Sequence, residues 1–282
     1  VALVGAVMLG SQSAPTLGRD TMYAVLMLVL GGIVGLGLFL GGLRHGEQSY
    51  NLAGASTYLS IIIPLSVIAL VLPNFTTSSA PGTLTDLQSI LFSAFTIVLY
   101  GSFLLIQTGR HKDLFIEDGG PASAPDAAAP ATTGLWTTTA FLIASILPII
   151  ILSKSLAKVL DFGIDRLGAP SALGGVLIAM IVLLPEGIAA IRAISANQLQ
   201  RAMNLCLGAG ASTLGLTVPT VLIIGVLTAQ PVILGLSATN MVVLMTTLLI
   251  STLTFSGPRT TLIRGVVHLC MFFVFFVLIF DP

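Results

Sequence analysis

Charge is what this sequence has least of. Lys and Arg number 11, Asp and Glu number 11, and only 8% of the 282 residues are charged, with no net charge. Soluble domains carry about 25% charged residues, so a water-exposed globular surface is excluded. Neutrality also excludes nucleic acid as a partner, because holding a phosphate backbone takes clustered Lys and Arg. Cysteine is nearly absent: Cys206 and Cys270 are the whole supply, both inside apolar runs. That leaves no disulfide framework and no zinc spacing, and the two read as small membrane-buried side chains. No nucleophile elbow or phosphate-cradling glycine loop occurs, so no cofactor is implied. Aromatics are 7% with one Trp, and Trp136 and Tyr100 read as interfacial anchors.

What is present is apolar length. Hydrophobic residues make up 55% of the chain and the mean hydropathy is +1.05. The pattern predicts an all-α polytopic membrane protein with spans near 21–43, 57–73, 87–107, 137–157, 171–195, 202–227, 240–255 and 262–280. Before them, Val1–Gly10 is apolar but too short to cross a bilayer, and it lacks the basic start of a signal peptide. It reads as the end of a transmembrane helix that begins upstream, with about eighty further residues expected there at about 20 per span. Residues 108–134 are rich in Pro, Ala and Gly and hold Asp113, Glu117, Asp118 and Asp126. They read as a linker, which divides the chain into 1–107, an incomplete first repeat, and 135–282, a second repeat. Arg44, Arg110, Lys112, Arg192, Arg201, Arg259 and Arg264 fall on one side, and Arg19, Lys154, Lys158 and Arg166 on the other. The positive-inside rule makes the first side cytoplasmic, with the linker inside the cell and Pro282 outside.

Glu186 is the most informative residue. It is the only acid in Ser171–Ile194 and lies about 5 Å from the centre of that span at 1.5 Å per residue. A carboxylate at that depth costs roughly 2.5 kcal/mol or more on insertion scales, and such residues mark proton and cation paths. The neighbouring helix carries Asn204, Gly208, Gly210, Ser212, Thr213, Gly215 and Pro219. Hydroxyl and backbone oxygens suit hard cations. Pro185 and Pro219 each remove a backbone donor and are expected to break or kink their helices, freeing carbonyls around Ile181–Val182 and Gly215. Glu186, Ser212, Thr213 and Asn204 are therefore the candidate cation- and proton-binding residues. His45 and His111 read as solvated, and His268 as a packed, hydrogen-bonded histidine.

The two halves share a plan. Arg19-Asp20-Thr21-Met22 leads into a glycine-rich span, as does Gln200-Arg201-Ala202-Met203, and five spans separate them, so they enter from opposite faces. That is an inverted repeat, with the site expected at the midplane. The alignment puts the counterpart of Glu186 a few residues before Val1.

Several segments together resemble the cation/proton exchangers, the Ca²⁺/H⁺ antiporters of the Ca²⁺/cation antiporter superfamily. Leu183-Leu184-Pro185-Glu186-Gly187, Asn197, Met203-Asn204-Leu205, Gly210-Ala211-Ser212-Thr213 and Val218-Pro219 are similar to the second family repeat. Gly41-Gly42 with Gln48, Asn51 and Ile68–Pro73, then Tyr100–Thr108 with His111 and Leu114-Phe115, then Phe255-Ser256-Gly257 with Thr260, Gly265 and His268-Leu269, extend the likeness. It is closest to the bacterial Ca²⁺/H⁺ and Na⁺(K⁺)/H⁺ antiporter branch. The resemblance implies two inverted five-helix repeats, each giving one glutamate to a shared site. The chain departs from the family pattern at Leu183, Gly187 and Leu214, where the family carries polar residues. Fewer polar ligands leave Na⁺ or K⁺ open beside Ca²⁺.

The function expected is a secondary-active antiporter in the bacterial inner membrane, exporting Ca²⁺ (or Na⁺ or K⁺) for H⁺. Its partners are those ions, the lipid bilayer and, left open, a second copy of the chain. A cation channel would need a continuous polar lining, and only 202–227 is notably polar. An intramembrane enzyme would need a second acid or His at the depth of Glu186, for which His268 is the sole candidate.

Overall fold

A computed structural model of the chain describes residues 4–5, 15–109, 112–115, 135–170, 172–257 and 259–281. Its long helices are α1 (Leu17–His45), α2 (Leu52–Asn74), α3 (Asp86–Thr108), α4 (Leu135–Leu167), α5 (Ala172–Ser195), α6 (Leu199–Thr228), α7 (Ala238–Thr254) and α8 (Leu262–Phe280). Six of them, α1, α2, α3, α5, α6 and α8, are long and apolar enough to cross a membrane. The predicted span at 137–157 is the N-terminal part of the 33-residue α4, and that at 240–255 is the 17-residue α7. Strands β1 (Gln48–Ser49) and β2 (Arg259–Thr260) pair antiparallel and tie two inter-helix turns together.

Local sequence sets the helix ends. Thr85 and Gln88 form a reciprocal capping box that starts α3. The side chain of Asn51 accepts from the Gly54 amide to start α2, and that of Ser237 does the same for Asn240 at α7. Two helices widen into π-helical turns, α1 at Met27–Ile33 and α2 at Val67–Val71. The second follows Pro64, which has no amide hydrogen to give.

Of the expectation that Pro185 and Pro219 break or kink their helices, the break is corrected. α5 runs unbroken through Pro185 and α6 through Pro219. Each proline still withholds one amide hydrogen from the carbonyl four residues earlier, Ile181 or Gly215. Neighbouring helices hold the backbone helical on both sides, which is how membrane helices tolerate proline.

α6 is central and packs against α1, α2, α3 and α5. Close approaches fix the directions. Gly18 of α1 meets Val221, while Gly210 of α6 meets Val29, so α1 and α6 are antiparallel. Gly175 meets Asp20 and Thr21, and Gly187 meets Ile33, so α1 and α5 are parallel. The halves exchange their last helices. α3 lays Tyr100 over Gly215 of α6, and α8 lays Phe272 and Leu269 over Gly31 and Gly35 of α1. Matching helices thus pack in matching ways in opposite directions, as the inverted repeat requires. Apolar burial gives little drive between helices in lipid, so glycine-mediated contact of this kind carries the association. Leu26, Leu30, Ile62, Leu207 and Leu214 fill the centre. α4 rests on α5, where Ile164 meets Gly174, and its Phe141, Leu142, Ile143 and Leu147 point outward.

Candidate cation and proton site

The turn between α5 and α6 sets the register of the site. Asn197 adopts φ 59°, a left-handed conformation that Asn tolerates better than most residues. The Gln198 amide then returns to the Ala193 carbonyl at 2.8 Å. Gln48 braces the turn from outside, donating to Asn197 Oδ1 at 2.8 Å. This tight hairpin lays α5 back along α6.

Glu186 sits about three turns up that hairpin, half-buried. Its Oε2 is inaccessible and has no hydrogen-bond partner. The next residue, Gly187, touches Ile33 of α1, and Cys206 of α6 lies within electrostatic reach of the carboxylate. Glu186 therefore occupies the crevice between α1, α5 and α6. A buried carboxylate oxygen without a donor is costly unless a proton, an ion or water attends it.

The other three candidates separate around α6. Residues at i, i+7 and i+11 share a helix face, so Cys206, Thr213 and Thr217 form one stripe, on the side of Glu186. The half-buried Thr213 hydroxyl has no hydrogen-bond partner among the described residues. Ser212 Oγ turns back on its own helix to the Ala209 carbonyl at 3.1 Å. Asn204 lies on the other side, toward α2 and α3. Its Nδ2 donates to the Phe115 carbonyl at 2.6 Å and its Oδ1 accepts from Gln200 at 3.0 Å. Gln200 in turn accepts from the Asn51 amide at 2.7 Å. Sequence reasoning missed this chain of contacts, although the Gln200–Asn204 spacing of i, i+4 was a legible signal.

His268 is fully buried, with Nδ1 2.7 Å from the Leu30 carbonyl and Nε2 3.0 Å from Thr254 Oγ1. Both ring nitrogens are engaged. Leu30 lies in the π-helical turn of α1, so the histidine serves a carbonyl from that irregular backbone. This agrees with the reading of His268 as a packed residue. Among the described residues no group of three or more His, Cys, Asp or Glu could hold a metal. A cavity of about 460 Å³ opens between Asp86, Ser89, Leu222 and Gln230, away from all four candidates.

The family model described as sodium/calcium exchanger protein matches residues 1–109 and 137–280. The chain belongs to the sodium/calcium exchanger protein family. It is 40% identical over 279 residues to the y4hA protein of Sinorhizobium fredii (strain NBRC 101917 / NGR234), covering 99% of this chain and 76% of that protein. It is 38% identical over 290 residues to the sodium-potassium/proton antiporter ChaA of Escherichia coli (strain K12), again covering 99% of this chain and 76% of the relative. Among solved structures, native YfkE superposes with a TM-score of 0.75 at 16% identity, covering 100% of this chain and 80% of that one. A likeness at that identity speaks for the fold. It agrees with the inverted-repeat packing of α1, α3, α6 and α8.

Proposed function

We propose that this protein is a secondary-active cation/proton antiporter in which Glu186 holds the cation and the proton by turns. The observation that carries the reading is the buried, unpartnered Oε2 of Glu186 on a membrane helix of a family exchanger. One carboxylate oxygen cannot keep a proton and coordinate a cation at once, and a nearby cation favours the ionised form. Alternating access of the site turns that competition into exchange. The name of the relative ChaA favours Na⁺ and K⁺ as the cations, with Ca²⁺ as the alternative. A Ca²⁺ ion takes 6–8 oxygen ligands, and here Leu183, Gly187 and Leu214 offer none from their side chains. His268 spends both nitrogens elsewhere, which removes the one partner an intramembrane enzyme would have used. Proton-coupled uptake of Na⁺, K⁺ and Ca²⁺ into everted membrane vesicles tests the reading, and cation movement without a proton counterflow would overturn it in favour of a channel.

The hydroxyls beside Glu186 give a second test. Protonation needs only the carboxylate, whereas a hard cation needs further oxygens. Thr213→Ala therefore raises the half-saturating cation concentration by about tenfold, the scale of one lost contact to a charge, with a smaller effect on maximal rate. Ser212→Ala has less effect, since its hydroxyl already donates to Ala209. Unchanged cation dependence in Thr213→Ala removes this residue from the site.

The membrane is the bacterial inner membrane in this reading, with residues 108–134 in the cytoplasm. A cysteine at Ser123, which lies outside the described residues, is protected from an impermeant thiol reagent in intact cells and exposed in everted vesicles. Labelling in intact cells reverses the orientation.

A further inference from the structure

Threonines in these helices follow a rule. Thr96, Thr220, Thr228, Thr246, Thr247 and Thr252 each return their hydroxyl to the carbonyl four residues earlier, at 2.7–2.9 Å. That is the ordinary way to satisfy a hydroxyl in a membrane helix. Thr21 of α1 and Thr217 of α6 break the rule. They are 4% and 1% exposed, and neither hydroxyl has a partner.

The two lie at one level. α1 and α6 run antiparallel with Gly18 against Val221. Thr21 comes one turn inward from Gly18, and Thr217 one turn inward from Val221. α5 closes the third side, and it does so with a glycine. A Cβ on Gly175 would stand 2.9 Å from the Thr21 amide nitrogen, so this position of α5 can carry no side chain. Thr217 continues the stripe of Cys206 and Thr213 that borders Glu186. Gly175 lies eleven residues from Glu186 on α5, about 16 Å of helix. The same three helices form both places. A buried hydroxyl without a partner calls for water or an ion, and two of them at one junction form a polar niche.

We propose that Thr21 and Thr217 form a second cation-binding step, in the same three-helix crevice as Glu186 and nearer the face that carries Arg19. This rests on the antiporter reading and extends it. The occupant is a partly hydrated alkali cation, which meets these hydroxyl oxygens after it leaves the carboxylate, on its way to the outer face. Neutral oxygens fit such a step, since a second carboxylate would trap the ion instead of passing it on. Thr213, between the two levels and also without a partner, spans the gap.

The test uses the full chain in proteoliposomes with Na⁺ or K⁺ as the probe. Thr21→Val and Thr217→Val keep the side-chain shape and delete the hydroxyls. At sub-saturating cation the double valine variant exchanges about tenfold more slowly, the scale expected for lost contacts to a charge, while Thr21→Ser and Thr217→Ser retain the rate. Its thermal stability is equal or higher, because valine removes two unpaired buried hydroxyls. As a second readout, Thr217→Cys in a background free of Cys206 and Cys270 reacts with a small water-borne thiol reagent, and Na⁺ or K⁺ slows the reaction. Wild-type exchange in the valine variants overturns the step and leaves the antiporter reading intact. Slowed proton movement with unchanged cation dependence overturns the cation as occupant and makes it water. Loss of stability together with exchange, unrescued by serine, reduces both residues to packing. Absence of proton-coupled exchange in the wild type is a separate result, and it removes the antiporter reading itself.

Discussion

Glu186→Gln abolishes cation/proton exchange and leaves the fold in place. The amide keeps the shape of the side chain but can neither give up a proton nor offer charge to a cation, so both half-reactions stop. Folding survives because a charge at this depth disfavours insertion, by roughly 2.5 kcal/mol for an acid near the bilayer centre. The Gln variant should therefore reach the membrane and melt as the wild type does. Proton-coupled Na⁺, K⁺ or Ca²⁺ uptake in everted vesicles reads the activity, and a thermal-shift assay on purified protein reads the fold. Exchange at the wild-type rate would falsify the assignment of Glu186.

Gly265→Ala lowers stability by forcing α8 away from α1. A Cβ at this position of α8 would stand 2.5 Å from the Phe39 amide nitrogen and 2.9 Å from the Gly35 carbonyl oxygen, both backbone atoms of α1. No rotamer change relieves a clash with backbone, so the helices must separate. Overpacking of this kind costs about 1–3 kcal/mol. Separation would also loosen the bond from His268 of α8 to the Leu30 carbonyl of α1. By contrast Gly257→Ala, where a Cβ meets nothing within 4 Å, should be nearly silent. Equal melting temperatures for Gly265→Ala and the wild type contradict this packing.

The hairpin of α5 and α6 shows how far the sequence could be read. The apolar runs on either side of 196–198 and the lone acid within the first of them were legible because hydrophobic length and charge depth are one-dimensional properties. So was the repeat, since Arg19–Met22 and Gln200–Met203 open similar glycine-rich spans. The expected break at Pro185 was not met, because a proline removes one hydrogen bond while packing on both sides keeps the helix turning. The π-helical turn of α1 has no proline to announce it. It is stabilised by a contact from residue 268 to residue 30, which no local window contains.

The composition alone determined that this chain lives in a membrane, and the position of Glu186 alone marked it as the candidate site, because the cost of a charge in hydrocarbon holds whatever the fold. The rotation of each helix about its axis was decided only by the tertiary structure. Asn204 and Thr213 look equivalent in sequence, yet one is spent on the Phe115 carbonyl and the other stands free on the side of Glu186. Thr96 and Thr217 look equivalent too, and only the packing of α1, α5 and α6 leaves the second without a partner. Helix rotation is set by glycine contacts between distant segments, such as Gly215 under Tyr100 and Gly175 against Asp20. Such contacts join residues far apart in the chain, so they exist only once the helices have met.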